Sequence, residues 1–313
     1  MFNILAICEV FLEMGLIYSL IAMGYYITYT ILDFPDLTVE GTFLTGAAAY
    51  GVMVSRGINP WLGLAVAFVV GFLFGALTGV LNVRLKIRPL LCGILVSTLL
   101  ITVNLILVTA GLYGDFSGSE SPTVTLGRGA ATLIKSFPID LLPQNVGNIP
   151  LRKVVLAFAV AAFAKIMLDL FFKTKKGLLL RAAGDNASFV TTLSVDAGQS
   201  KILGLAIGNG YAAVSGALFA TSNGNVNQGM GIGMVVIGLA SLIIGLSLFR
   251  RVRFMKPTTK VILGAIIYQA CLTLAIELGM PSAYNKLIMA ILFTVALVIS
   301  GYGKAKSSTG GKK

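Results

Sequence analysis

The chain has 313 residues, 57 % of them hydrophobic and only 12 % charged, with a mean hydropathy of +0.91; a soluble domain carries roughly 25 % charged residues, so an integral membrane protein is expected. Histidine is absent, which excludes Ser-His-Asp and Cys-His catalysis, His-based zinc sites and imidazole proton relays together. The formal charge of +12 would suit nucleic acid only on a basic face of a soluble domain, and the positions of the charges point elsewhere.

The opening MFNILAICEVFLEMG has no basic leading region or small-residue cleavage site, and it carries Glu9 and Glu13. It is expected to remain as a membrane span, not to be removed as a signal peptide. A helix needs about 20 mostly apolar residues to cross a bilayer, and nine segments approach that: about 5–31, 38–55, 62–83, 90–111, 152–172, 202–222, 230–249, 258–279 and 284–302. The predicted fold class is therefore all-α and polytopic. The second segment is short and opens on the acidic stretch LDFPDLTVEG, so its helix is expected to be broken or only partly spanning.

Basic residues fall in every second connection. Arg84, Lys86 and Arg88 follow the third segment; Lys173, Lys175, Lys176, Arg181 and Lys201 follow the fifth; Arg250, Arg251, Arg253, Lys256 and Lys260 follow the seventh; Lys304, Lys306, Lys312 and Lys313 end the chain. Seventeen of the 24 Lys and Arg are thus accounted for. The positive-inside rule puts those connections and the C-terminal tail, 303–313, in the cytoplasm and the N-terminus outside, with attraction to anionic lipid as a secondary effect. Of the two long connections, 112–150 then lies outside, as either a surface that receives another protein or a lid on the membrane, and 173–201 lies inside.

Gly71, Gly75 and Gly79 recur every fourth residue, which predicts close helix packing and not a ligand site; Gly204 and Gly208 repeat the spacing. NGNVNQGMGIGM (223–234) follows no strand, so it is read as a turn into the seventh segment and not as a dinucleotide fingerprint. GYGKAKSS lacks the glycine a phosphate loop needs at 298, where valine stands, so any ATP is expected to be bound by a partner. Lys165 and Asp169 are four apart and expected to pair as a structural feature. Cys8, Cys92 and Cys271 sit far apart in apolar runs, where neither a disulfide nor a metal is expected. No pair of catalytic residue types stands out, so the chain is not expected to be an enzyme. In TKKGLLLRAAGDNASFVTTLSVDAGQSK, Asp185 is expected to cap a short helix from about Asn186 to Leu193 that presents Phe189, Val190 and Leu193. Such a helix is either a docking knob for a cytoplasmic protein or an amphipathic helix on the bilayer surface.

GLIYSLIAMGYYITYTILDFPDLTVEGTFLTGAAAY resembles the first two spans of permeases of the branched-chain amino acid and ribose class of bacterial ABC importers. LRAAGDNASFVTTLSVDAGQSKILGLAIGNGYAAVSGALFA is similar to the same family's coupling loop, with its signature at Arg181, Ala182, Gly184, Asp185 and Asn186. The likeness covers nearly the whole chain. The Leu32–Gly41 form resembles the subgroup associated with tryptophan and tyrosine uptake. It implies a type II importer-like permease, with one transmembrane domain over 1–313 in the bacterial inner membrane and no cofactor of its own. It also implies a second permease copy, a cytoplasmic ATPase dimer that binds ATP, an external substrate-binding protein, soluble or lipid-anchored, and a small solute, an amino acid, as cargo. Arg181, Gly184, Asp185, Asn186, Phe189, Val190 and Leu193 would then seat in the ATPase. A nucleoside, sugar or other metabolite fits the same architecture; a secondary transporter would be expected to show two similar halves and buried titratable groups.

Asp33, Asp36 and Glu40 surround Pro35. Proline suits a helix's first turn, and carboxylates there satisfy free amides and oppose the positive end of the helix dipole. The cluster therefore marks the start of a discontinuous helix, and such breaks lie near transport pathways. Asp33, Phe34, Pro35, Asp36, Glu40, Tyr25 and Tyr29 are the pathway candidates, with Tyr26 adding aromatic surface. Helix starting with local pairing, and direct contact with a substrate ammonium, both remain open for the acids.

Overall fold

The computed structural model describes residues 4–113, 123–126, 133–136, 151–185, 196–252, 254–279 and 284–309. It is a helical bundle: α1 (Ile4–Tyr25, continued by a π turn over Tyr26–Ile31), α2 (Thr38–Ser55), α3 (Pro60–Val83), α4 (Pro89–Tyr113), the one-turn α5 (Leu133–Ser136), α6 (Leu151–Phe171), α7 (Lys175–Asp185), α8 (Ala197–Asn223), α9 (Met234–Leu248), α10 (Pro257–Glu277) and α11 (Asn285–Thr309). Two three-residue strands, β1 (Thr123–Thr125) and β2 (Asn225–Asn227), pair antiparallel with Val124 opposite Val226.

Among the described residues, seven helical segments are long and apolar enough to cross a membrane. The nine expected spans exceed this by α2, whose 18 residues are rich in Thr, Gly and Ala, and by α11, whose apolar part is the shorter Lys286–Val298.

Helix ends follow local chemistry. Asn59 caps α3, accepting from the Trp61 amide at 3.0 Å, with Pro60 at the first helical position, where its missing amide proton costs nothing. Asp196 caps α8, accepting from the Gly198 amide at 2.8 Å, so that helix begins five residues before the expected 202. Its far end closes on Gly224 in the left-handed conformation (φ 67°).

α8 is the axis of the bundle and packs most extensively on α3 and α2. The α3 glycine stripe makes this possible. A methyl on Gly71 would lie 2.5 Å from the Asn209 carbonyl oxygen, and one on Gly79 would lie 2.7 Å from the Ile202 Cα. On the α2 side, methyls on Gly46 and Gly216 would overlap the carbonyls of Ala213 and Phe43. Bare backbone positions let helices approach closely enough for dispersion to hold them where no hydrophobic drive acts between them.

The connections rich in Lys and Arg gather at one end of the bundle. Val83, closing α3, packs on Gly198 at the start of α8. The Asp169 carboxylate near the end of α6 binds Lys165 at 3.1 Å and Lys256 at 3.0 Å and accepts from the Thr258 hydroxyl at 2.8 Å. The expected Lys165–Asp169 pair is thus one part of a clasp between α6 and the start of α10. At the opposite end, Glu13 accepts from Ser222, and Lys153 donates to the Ser222 carbonyl at 2.9 Å, tying α1, α6 and α8.

Candidate functional site at the break between α1 and α2

The π turn leads straight into irregular chain. The Leu32 amide reaches back to the Ile27 carbonyl at 3.1 Å and the Phe34 amide to the Thr28 carbonyl at 2.8 Å, after which Asp33 takes a positive φ of 49°. That conformation is uncommon outside glycine but accessible to Asp, whose short polar side chain can compensate locally. Residues 33–37 form no helix or strand, and α2 begins only at Thr38. Pro35, expected in the first turn, instead precedes the helix by three residues, because the Asp36 side chain supplies the start: its Oδ1 accepts from the Thr38 amide at 2.9 Å.

The break lies inside the bundle. Asp36 is buried; its Oδ2 accepts from Asn209 Nδ2 at 2.6 Å, at the middle of α8, and its carbonyl accepts from the Tyr25 hydroxyl at 2.8 Å. Asn209 Oδ1 in turn accepts from the Thr42 hydroxyl at 2.9 Å. The Thr38 and Thr78 hydroxyls pair at 3.1 Å, joining α2 to α3. From α4, Ser97 donates to the Leu37 carbonyl at 2.8 Å and Asn104 to the Gly41 carbonyl at 3.0 Å. Four helices thus satisfy the polar groups that an interrupted helix exposes, as a low-dielectric interior demands.

Glu40 serves a different helix start. Its carboxylate accepts from the Gly233 amide at 2.9 Å, immediately before α9, and a methyl on Gly231 would overlap the Glu40 carbonyl. Gly233 has φ 94°, which glycine alone adopts freely. The chain from Gly224 therefore passes through β2 and a 3₁₀ turn (Gln228–Gly231) to reach Glu40 before α9 begins. Each of two helix N-termini thus receives a carboxylate from this chain, opposing the dipole's positive end.

The seven pathway candidates divide by exposure. Tyr25, Phe34 and Asp36 are buried and Glu40 is half-buried, whereas Asp33, Pro35 and Tyr29, the last by 38 %, are exposed along with Thr30. Tyr26 is buried against Phe172, with ring centroids 5.9 Å apart. The Lys201 ammonium lies 5.5 Å from the centre of the Phe34 ring.

Of the expected docking residues, Arg181, Gly184 and Asp185 belong to α7, which stands where a loop was expected. Thr174 starts it, its hydroxyl accepting from the Gly177 amide at 3.2 Å, and the Leu, Arg and Ala that follow are strong helix formers. Asp185 is the last residue of α7 and is exposed; the helix it was expected to cap lies beyond the described residues. Asn186, Phe189, Val190 and Leu193, with the helix expected over 186–193, lie outside the described residues. The Arg181 guanidinium sits 4.2 Å over the Phe172 ring.

Comparison with known proteins decides the class. The family model described as branched-chain amino acid transport system / permease component matches residues 7–297. The chain belongs to this permease family. It is 37 % identical over 298 residues, 95 % of this chain and 92 % of the relative, to a tyrosine transport system permease protein of Clostridioides difficile. An uncharacterized protein of Rickettsia prowazekii is 28 % identical over 292 residues, 91 % of this chain and 95 % of the relative. The "Probable branched-chain amino acid transport permease protein LivH" of Methanocaldococcus jannaschii is 26 % identical over 306 residues, 94 % and 91 % of the two chains. No solved structure gives a significant match. Permeases of this family are transport components and not enzymes, and this one is a multi-pass membrane protein.

Proposed function

We propose that this permease is the membrane-spanning subunit of an ATP-driven importer and that its cargo is tyrosine or a close aromatic analogue. The observation that carries the cargo is the 37 % identity over 95 % of the chain to the tyrosine transport permease. A whole-length likeness at that level preserves the helices that would form the pathway. The importer takes an ATPase pair on the cytoplasmic side, with ATP bound there and no cofactor in this chain, and an external binding protein that delivers the amino acid. The end of the bundle bearing Arg84, Lys86, Arg88, Lys173, Lys175, Lys176, Arg250 and Arg251 faces the cytoplasm of a bacterial inner membrane, with the C-terminus on that side. Residues 1–313 act as one transmembrane domain, paired with a second copy around the pathway.

The open face at Tyr29, Asp33 and Pro35 supplies the wall of that pathway. A carboxylate on irregular backbone within the bundle cannot be left against hydrocarbon, so this face is turned to water and to the second copy. Tyr25, Phe34, Asp36 and Glu40 shape the wall from behind: the carboxylates of Asp36 and Glu40 are already engaged by Thr38, Asn209 and Gly233. A pathway that only passes an amino acid handed over by the binding protein need not hold a selective pocket, so the choice of cargo falls to that protein.

The test is uptake of labelled tyrosine into proteoliposomes holding the chain with its ATPase and binding protein. Accumulation that needs ATP and is competed by excess tyrosine but not leucine is the expected result. Competition by leucine instead would make the cargo branched-chain, and accumulation driven by an ion gradient without ATP would overturn the importer reading.

A further inference from the structure

We propose that Leu180, Arg181 and Gly184 are positioning residues that key α7 to the π turn of α1, so that a push on α7 moves the broken segment behind the pathway face. This rests on the reading that the stretch beginning at Arg181 meets the ATPase. Three separate contacts join the two elements. Gly184 packs on the Ile31 carbonyl so closely that a methyl would overlap it. Leu180, one turn earlier on the same face of α7, converges with Leu32 and Ile27 over Gly204 of α8, where a methyl on Gly204 would lie 2.6 Å from Leu32, 2.8 Å from Leu180 and 3.3 Å from Ile27. Arg181 covers the Phe172 ring, which packs on Phe171 and also meets, edge-on, the ring of Tyr26, the first residue of the π turn.

The π turn is where such a push has effect. It holds one more residue than an α turn, so shedding or gaining that residue shifts the chain beyond it by about 1.5 Å and turns it by about 100°. What lies beyond is Leu32–Leu37, which forms no helix or strand of its own, is held by side chains such as Tyr25, Asn209 and Ser97, and carries exposed Asp33 and Pro35. α7, by contrast, is a continuous helix of 11 residues and transmits displacement as a rod. Its far end, Asp185, is exposed.

The test uses the complete transporter, with Thr30→Cys, exposed on the π turn, as reporter in a background lacking Cys8, Cys92 and Cys271. In the otherwise unaltered transporter, ATP is expected to change the thiol labelling rate of this reporter at least threefold. Leu180→Ala, which withdraws the α7 side chain from the cluster over Gly204 and lies outside the residues expected to seat in the ATPase, is expected to keep the ATPase bound and hydrolysing ATP, to cut tyrosine uptake per ATP about three- to tenfold, and to abolish the ATP-dependent change in labelling. Ile27→Ala, which weakens the same cluster from the π-turn side, is expected to lower uptake per ATP by a similar factor and serves if Leu180→Ala does not fold. Unaltered uptake per ATP and unaltered labelling in both variants would overturn the linkage while leaving the docking reading intact. Failure of the unaltered chain to retain an ATPase would overturn the docking reading and the linkage with it.

Discussion

α8 and α3 cross the bundle side by side and bury opposite shares of themselves: 78 % of the most apolar 18-residue window of α8 is buried, against 28 % for α3. Yet α3 is the more apolar of the two. In water the buried helix would be the apolar one; in hydrocarbon the outward helix must satisfy lipid, while the central helix can carry Asn209, Ser215 and Thr221 because neighbours bond to them or their own turn accepts. The difference teaches where function can be placed. Only the centre, reached from α1, α2, α3 and α4, can hold an interrupted helix and its carboxylates.

The sharpest way to break this contrast is to widen the centre. Gly216→Val puts its Cβ into the Phe43 carbonyl, and the expected cost exceeds about 3 kcal/mol, read as loss of the monodisperse peak in detergent. A folded, active variant would mean that α2 and α8 are not in backbone contact. Next in size, Asn209→Leu leaves the buried Asp36 carboxylate without its 2.6 Å partner and is expected to destabilise by about 2 kcal/mol, measured by thermal unfolding; Asp36→Asn, which removes the charge, is expected to cost less. Equal costs would indicate that the charge of Asp36 is irrelevant to the pairing. At the small end, Leu73→Ala on the outer face of α3, where Leu73 is 60 % exposed, is expected to stay within about 0.5 kcal/mol. A larger loss would show that protein, not lipid, covers that face.

Much of the fold was legible because apolar runs in a membrane protein end abruptly at Pro, Gly or basic residues. The segment expected at 62–83 is Pro60–Val83, and that expected at 38–55 is Thr38–Ser55. The glycine stripe of α3 was legible too, since spacing alone puts Gly71, Gly75 and Gly79 on one face. α7 escaped notice because its opening, Thr-Lys-Lys-Gly, reads as loop until the Thr174 cap is seen. The seventh segment, expected from 230, starts four residues later because Gly229, Gly231 and Gly233 hold Met230 and Ile232 in a turn. The acidic cluster could be recognised as a helix start, but its partners could not be identified: Asn209 is 173 residues from Asp36 and Gly233 is 193 from Glu40. A lone amide within the apolar run of α8 was the available signal for Asn209. The division of the cluster into buried Asp36 and exposed Asp33 depends on the backbone turning over at Asp33, which no periodicity records.

The central claim is that the open face of the break is turned to water within the membrane. Its most direct measurement is labelling by a charged, membrane-impermeant maleimide of the reconstituted permease, in a background without Cys8, Cys92 and Cys271, carrying Tyr29→Cys, Asp33→Cys, Phe34→Cys or Leu73→Cys one at a time. Rapid modification at positions 29 and 33, with positions 34 and 73 inert, is the predicted result. Position 33 as inert as the exposed, apolar position 73 would contradict it.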